Sequence, residues 1–537
     1  MTTYVLAVLT KVRNDNEVRE IHTIEEVKVV EFEGNLKDMA PVDVWRGASR
    51  IPAAITFTHI YLIFYLTFLA GRTIYRSKLA LTPSSSTRHR QHLRRGHVRT
   101  FSILAAVSLL GASYFAASVA GLSYRVWAAE RGIGLPESIF GDQGAFRGGE
   151  HPGRVHLVRW LDDTPLYRDA FEIVTEKTRH FWWAQQNTLG LVSWSLFLAV
   201  EGQRRKISNL WAFLALSQLV NLSFAQNLFF VAVLLTPVPL PDNVKEITRA
   251  DMVVTSSRFS NIKEKLVPTK PEGFVPKTGL YITLLTFNYL SIFLLPFASN
   301  TPSFPTIAIL SRALPFTFLA LPYIIPKSLG TTNKPHAHYG TLFRIISTIS
   351  YLLHAKSTAL GLFYNFPEDH SYRHAILHPF QDHHQSTTSK TSTALSRLLG
   401  AITEHPAVGA VGWDVILSGL SLGIWAAVRG LEPREMIATS VPFAGTTQKN
   451  AEPTESLAKA DPPSPALKRR PGRPRKADTI NAKKSDEAYI PTGDQYVERG
   501  EEMEEDWEVA ALAWGSIAAG GLGVGSSAVL GAEVGGR

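Results

Sequence analysis

The chain of 537 residues contains no cysteine. Disulfides, thiolate-bound metals, iron–sulfur clusters and cysteine nucleophiles are therefore excluded. Local motifs of several large enzyme classes are missing as well, since the sequence has no GxxxxGK[ST], no GxGxxG after a predicted strand, no GxSxG and no HExxH. These absences favour a non-enzymatic function, and we expect no cofactor.

Charged residues are also scarce within several apolar blocks of about 20 residues, the length that crosses a bilayer as a helix. The average composition hides this, because the whole chain is 45% hydrophobic with a net charge of +9. The blocks predict an all-α fold, a polytopic transmembrane bundle of eight or nine spans in a lipid bilayer. The predicted spans are 51–70, 101–124, 181–200, 209–235, 279–298, 304–325, 341–366, 407–428 and 509–534.

Four regions follow from this pattern. Residues 1–50 form a small N-terminal region, 51–428 the membrane domain, 429–508 a disordered charged tail, and 509–534 a final Gly-rich hydrophobic helix. In the final helix small residues recur every four positions and expose one face of the backbone, which predicts a helix–helix partner along that face. These residues are Gly515, Ala519, Gly523, Ser527 and Gly531.

Basic residues between the spans set the predicted orientation. The loop after the first span carries eight Arg and Lys side chains between Arg72 and Arg99 and no acidic residue, so it should be cytosolic and residues 1–50 lumenal or exterior. Strict alternation would then leave the tail in the lumen. Segment 341–366 is the weakest span, because each central cation costs roughly 2.5–3.5 kcal/mol on insertion scales. It contains Arg344, His354 and Lys356. We expect it to lie at the interface, which returns the tail to the cytosol.

Amide side chains within the spans suggest a polar interior. We predict that those of spans three and four face each other, either as interhelical hydrogen bonds or as the path of a polar solute, so a transporter is an alternative function. They are Gln185, Gln186 and Asn187, and Gln218, Asn221, Gln226 and Asn227. Asp414 in span eight is either a functional carboxylate or one that reaches the interface. The aromatic residues at 181–183 are expected at the headgroups.

Histidines cluster after segment 341–366, at His370, His374, His378, His383 and His384. The spacing of four places the first three on one helical face, where imidazoles can ligate iron or zinc. His370 and His374 form an HxxxH pattern that resembles a histidine box of membrane fatty-acid desaturases and hydroxylases. The gap before His383 does not fit the second box, and the third is missing unless His336 and His338 contribute. The resemblance implies a metal-dependent oxidase as another alternative; titrating surface histidines in a polar loop are the other interpretation.

The most specific local motif lies in the tail, where residues 468–476 read Lys-Arg-Arg-Pro-Gly-Arg-Pro-Arg-Lys. It resembles an AT-hook, whose Gly-Arg-Pro core lies in the narrow minor groove of A·T-rich DNA. The resemblance implies DNA contact by Arg470, Gly472, Arg473, Pro474, Arg475 and Lys476. The same charges would also suit an importin or anionic lipid. Because one hook binds weakly, the basic loop 86–99 is the candidate second contact. The sequence thus favours a membrane protein of the endoplasmic reticulum or nuclear envelope whose tail contacts DNA.

Overall fold

The computed structural model describes residues 50–81, 90–136, 154–236, 274–331, 335–367, 387–441 and 494–535. Within these ranges the chain forms fifteen α-helices and one short antiparallel pair of strands, so the all-α prediction is confirmed. Five of the described helices are long and apolar enough to cross a membrane, and a helix pair bent by 53° would make a sixth. The predicted count of eight or nine spans is not confirmed.

The elements follow one another in this order: α1 (Ile51–Ala80), α2 (Arg90–Glu130), α3 (Leu157–Asp163), α4 (Leu166–Glu176), α5 (Thr178–Arg204), α6 (Leu210–Leu219), α7 (Leu222–Leu235), β1 (Val275–Pro276), α8 (Thr278–Ala298), α9 (Phe304–Ala313), α10 (Pro315–Ile324), β2 (Gly330–Thr331), α11 (Pro335–Asn365), α12 (Thr387–Gly400), α13 (Pro406–Arg429), α14 (Pro433–Ser440) and α15 (Asp494–Gly535). Single 3₁₀ turns lie at Lys327–Leu329 and Ala401–Thr403.

Helix α5 runs through the centre of the bundle, and every residue from Thr188 to Gly202 is buried. Its first turn contacts Glu404 through His180, and the turn after its last residue reaches Glu533 through Arg205. We call the two ends of the bundle the Glu404 end and the Glu533 end. Because α5 is surrounded by protein rather than lipid, it can carry polar residues that lower its hydropathy below that of the lipid-facing helices.

Helix α11 also passes between the two ends of the bundle, but it is not among the five candidate spans, so the interfacial placement of 341–366 stays a prediction. At the Glu404 end Arg179 donates to Asn365, and toward the other end Arg344 donates to the Ala438 carbonyl at 2.9 Å. The remaining positive charge on the predicted span is satisfied too, because Lys356 lies 3.9 Å from the ring centroid of Phe293. A cation over an aromatic face is favourable where water is excluded.

The predicted fourth span, 209–235, does not cross the bundle. It consists of α6 and α7, which we call hairpin 1, and the chain reverses at 220–221. Phe213 and Phe229 stack edge to face with centroids 5.6 Å apart. In one straight helix residues sixteen apart would be separated by about 24 Å. Both ends of hairpin 1 also meet the same part of α1, since Asn209 bonds to Thr73 and Thr236 to Ser77. Both ends of hairpin 1 therefore lie toward the Glu533 end.

The predicted final helix is broken as well. Helix α15 has a non-helical residue, Gly521, with φ 80° and ψ 173°. A Cβ on Gly525 would lie 3.1 Å from the backbone nitrogen of Ile517, although residues eight apart in a straight helix are separated by about 12 Å. The halves 507–520 and 522–535, which we call hairpin 2, therefore fold back on each other. Trp514 contacts Gly423 and Glu533 contacts Arg429, so both halves lie toward the Glu533 end.

The small-residue face of hairpin 2 packs within the chain. A Cβ on Gly523 would meet Ser350, and one on Gly531 would meet Phe343 and Thr439, whereas Gly515 has nothing within 4 Å. Helix α14 packs on the same hairpin, where Thr439 donates to the Ala528 carbonyl, so the packed helical bundle includes residues beyond 428. The N-terminal region 1–49 and the tail from 442 to 493 lie outside the described residues.

Candidate polar centre at the two hairpin tips

The tips of the two hairpins meet neighbouring side chains of α5. Gln186 bonds to the tip of hairpin 2, and Asn187 bonds to Asp414, which accepts hydrogen bonds from the tip of hairpin 1. One turn further along, Gly190 is contacted by both returning helices: its Cβ would lie 2.7 Å from Leu522 Cδ2 and 3.4 Å from Leu222 Cδ2. Two helix N-termini therefore begin side by side in the middle of the bundle. Each carries unpaired backbone N–H groups and a partial positive charge.

Asp414 satisfies the N-terminus of α7. Its Oδ2 accepts from Leu222 N at 2.9 Å and from Asn187 Nδ2 at 2.8 Å, and its Oδ1 accepts from Ser223 N at 2.7 Å. Asn221 caps the same helix by accepting from Phe224 N at 3.0 Å. Asp414 is 2% exposed, so it does not reach the interface, as one interpretation of the sequence expected. A carboxylate at a helix N-terminus is the favourable placement of a buried negative charge.

Gln186 satisfies the N-terminus of the returning half of hairpin 2. Its Oε1 accepts from Leu522 N at 3.0 Å, and its Nε2 lies 2.5 Å from Nδ1 of His354. The backbone N–H can only donate, which fixes the amide oxygen toward Leu522 and the NH₂ group toward His354. Nδ1 must then accept, so the neutral imidazole carries its proton on Nε2.

A third break lies beside hairpin 1, where α9 and α10 are bent by 53°. Near this bend Arg312 donates from Nη1 to Gln218 Oε1 at 3.2 Å, and its guanidinium lies 5.4 Å from the ring centroid of Phe171. The polar centre therefore contains one buried cation and one buried anion, each with protein partners.

Charged side chains tie the bases of both hairpins together at the Glu533 end. Arg205 bonds Glu201 at 2.5 Å and donates to the Val233 and Thr236 carbonyls at the end of hairpin 1. Glu533, near the end of hairpin 2, is 1% exposed and receives Arg429 in a bidentate pair at 2.9 and 3.0 Å. The bases are thus held by charge, and the tips by hydrogen bonds.

The Glu404 end has a smaller charge cluster. Glu404 contacts His180 Nε2 at 2.9 Å and Arg179 Nε at 2.7 Å. Partial burial would raise the pKa of Glu404, but hydrogen bonds from His180 and Arg179 and the positive charge of Arg179 outweigh it and lower the pKa below the usual 4.5. The neighbouring His405, whose pKa is lowered by burial, caps α13 by accepting from Ala407 N.

A cavity of about 600 Å³ lies beside the tip of hairpin 2. Its walls are mainly aliphatic and indole side chains, and Gln186 and His354 form part of its surface. The lining residues include no Asp, Glu, Lys or Arg. The arrangement therefore combines an apolar chamber with a small number of hydrogen-bonding groups, as ligand sites commonly do.

The predicted amides are buried near one another, but they do not bond across the two helices as expected. Asn187 pairs with Asp414, Gln186 with hairpin 2, and Gln218 with Arg312, while Asn227 donates to the Ser223 carbonyl within its own helix. The AT-hook-like residues and the five clustered histidines lie outside the described residues. Among the residues that the structure does describe, no group of three or more His, Asp or Glu could hold a metal.

No family model matches the sequence, and no curated protein or solved structure matches it significantly. The fold and the polar centre alone define the class: a multi-helix bundle with apolar helices compatible with a multi-pass membrane protein. Within the described residues, its distinguishing feature is a pair of helical hairpins whose tips are bonded by Gln186 and by Asp414.

Proposed function

We propose that this chain is a membrane transporter in which one or both hairpins move as gates. The observation that carries the proposal is that both hairpin tips meet α5 at Gly190, where Gln186 bonds to one tip and Asp414, paired with Asn187, bonds to the other. Discontinuous helices whose half-helix ends meet near the middle of the membrane are typical of secondary transporters. Here hairpin 1 and hairpin 2 both enter from the Glu533 end and converge on the same part of α5, at Gly190.

The bonding at the two tips favours unequal mobility. Hairpin 1 is held by a carboxylate with three donors, and hydrogen bonds to charged groups contribute about 1.5–3 kcal/mol each. The described tip of hairpin 2 is held by the neutral Leu522–Gln186 bond, and such bonds contribute about 0.5–1.5 kcal/mol. Hairpin 2 also borders the cavity. We therefore assign the moving gate to hairpin 2 and the fixed wall to hairpin 1.

The absence of cysteine allows a direct test, because single-cysteine variants need no background changes. Ser526 is 2% exposed in the returning half of hairpin 2 and bonds to Ser193. In sealed vesicles we expect Ser526→Cys to react slowly with an impermeant maleimide applied from the Glu533 side, as the gate opens. The matched control is Ser421→Cys, a fully buried serine on the continuous helix α13.

Reaction of Ser526→Cys at least tenfold faster than Ser421→Cys would support gating. Equal and negligible reaction of both, from either face and across pH 5–8, would contradict a moving hairpin. A disulfide formed in the double variant Ser193→Cys/Ser526→Cys should inhibit transport, and reduction should restore it. Transport is measured as solute-driven charge movement in proteoliposomes, and this result would link the movement of hairpin 2 to transport.

A second function rests on the tail. Helix α14 and the start of hairpin 2 both lie toward the Glu533 end, which also carries the basic turn Arg204–Lys206. By the positive-inside rule this end faces the cytosol. The described residues that flank the tail, those before 442 and after 493, then lie toward the side where DNA, importins and anionic lipid headgroups are found. We propose that Arg470 to Lys476 contacts A·T-rich DNA there, at the endoplasmic reticulum or nuclear envelope.

The detergent-purified full chain should bind an A·T-rich duplex more tightly than a G·C-rich one, and Arg473→Ala should remove that preference. Lys484→Ala, a tail cation outside the Gly-Arg-Pro core, is the control and should keep it. Equal binding to both duplexes, together with stronger binding to phosphatidylserine vesicles, would assign the motif to lipid instead.

A further inference from the structure

The cavity beside hairpin 2 has hydrogen-bonding groups that the protein leaves for a ligand. Its three lining tryptophans all donate their indole N–H groups elsewhere: Trp182 to Thr358, Trp183 to the Leu398 carbonyl, and Trp514 to the Gly419 carbonyl. They therefore offer only apolar ring surface to the cavity. Gln186 is occupied by Leu522 and by His354.

His354 is the exception. Its Nδ1 accepts from Gln186, which places the proton on Nε2, and Nε2 makes no hydrogen bond within the described residues. The side chain lines the cavity although the residue is only 7% exposed. A ligand oxygen placed against Nε2 would accept its proton, and such a hydrogen bond would contribute about 0.5–1.5 kcal/mol. The cavity thus offers Nε2 of His354, and the Thr358 hydroxyl one turn away, as donors within an otherwise apolar chamber.

The opening of the cavity faces lipid. Leu395 and Leu399 of α12 are each 44% exposed, and Ile416 and Leu420 of α13 are 42% and 38% exposed. All four residues line the cavity. Because α13 is a candidate membrane span, its exposed apolar side chains contact acyl chains rather than water. A ligand dissolved in the bilayer can therefore reach the cavity between α12 and α13 without crossing an aqueous layer.

We propose that this cavity binds an amphipathic lipid with an apolar body and a single small oxygen headgroup, a hydroxyl or a carboxyl, which accepts a hydrogen bond from His354 Nε2. Phospholipids do not suit it, because no cation lines the cavity to meet a phosphate. Sterols and fatty acids share the required chemistry. If the chain is a transporter, the proposal names its substrate class and in that respect rests on the proposed function; binding itself does not.

Two photoreactive probes distinguish the sources: a diazirine sterol and a diazirine fatty acid, each with an alkyne handle, added to the full chain in nanodiscs. We expect saturable labelling by one or both, mapped to peptides containing Trp182 or Ile416. Ile416→Trp should fill the opening and reduce labelling at least fivefold. Because Ile416 is 42% exposed, the larger side chain should not disturb the packing of the bundle. Leu110→Trp, at a 70% exposed position on α2 away from the cavity, is the matched control.

The headgroup contact needs its own readout. Unlabelled sterol or fatty acid should compete about five- to tenfold better than the corresponding hydrocarbon, the ratio expected for one buried hydrogen bond. His354→Phe should abolish that ratio, with folding checked by gel filtration. Equal competition by the hydrocarbon in the unaltered chain would overturn the assignment to His354. Absence of saturable labelling by both probes would overturn the site.

These outcomes are separate from the gating test. Saturable binding without movement of Ser526→Cys would remove the transporter and leave a lipid-binding protein. Movement without binding of either probe would keep the transporter and overturn the proposed substrate class.

Discussion

The carboxylate of Asp414 offers the sharpest test of how hairpin 1 is held. Replacement by Asn preserves shape but removes the charge and leaves one acceptor oxygen for three donors, two of them backbone N–H groups of α7. A buried N–H left unpaired costs about 1–3 kcal/mol. Loss of the charge–dipole interaction adds about 1 kcal/mol. We expect Asp414→Asn to lower the free energy of unfolding by about 2–4 kcal/mol.

The assay is reversible unfolding of the purified chain by SDS in mixed micelles, followed by tryptophan fluorescence. Ser418→Ala is the control, because Ser418 lies one turn away, is fully buried, and its Oγ has no hydrogen-bond partner in the structure. It should change stability by less than about 0.5 kcal/mol. A double-mutant cycle with Asn187→Ala should give a coupling of about 0.5–2 kcal/mol. Asp414→Asn with the stability of the unaltered chain would refute the capping of hairpin 1.

Three further outcomes follow from the same contacts. Glu533→Gln should destabilise the chain by about 3–5 kcal/mol in the same assay, because it leaves Arg429 without its buried anion; Glu508→Gln is the control, and a loss below 1 kcal/mol would contradict the role of the pair. Gly521→Ala should lower the thermal midpoint, since φ 80° strains other residues and a Cβ would collide with Gln186; Gly515→Ala, with open space, should not. Glu404 has a lowered folded pKa, so its stabilising effect is present above about pH 4.5 and is lost as pH falls through the folded pKa. Thermal stability should therefore fall on acidification below pH 4.5, and Glu404→Gln should reduce that dependence; an unchanged pH profile would exclude this source.

Hydropathy predicted several lipid-facing helices well, because their signal is local. The predicted spans 279–298 and 407–428 correspond to Thr278–Ala298 and Pro406–Arg429. The two hairpins were missed because 209–235 and 509–534 have the length and composition of crossing helices. A weak signal existed in each: Asn221 is a typical N-cap residue in the middle of the fourth block, and Gly520-Gly521 interrupts the last. Local signals of this kind do not distinguish a kink from a reversal.

The polar centre was predicted in part. Gln186 and Asn187 were singled out as buried amides, but their partners, Asp414, His354 and Leu522, lie more than 160 residues away and only the fold brings them together. Trp183 is 7% exposed and lines the cavity, and its expected position at the headgroups stays a prediction. An aromatic cluster at a helix start suits a headgroup and a chamber wall equally well.

Hairpin 2 has a consequence for biogenesis. Its two halves end in backbone groups that lipid cannot satisfy, so it cannot stand alone in the bilayer after leaving the ribosome. Gln186, His354 and Arg429 are synthesised before it and complete their bonding only when Leu522 and Glu533 arrive. Packing of this hairpin therefore follows the placement of α5, α11 and α13 in the order of folding. A chain stopped at residue 441 would keep its crossing helices but leave an open slot against α5, a species that membrane quality control is expected to recognise.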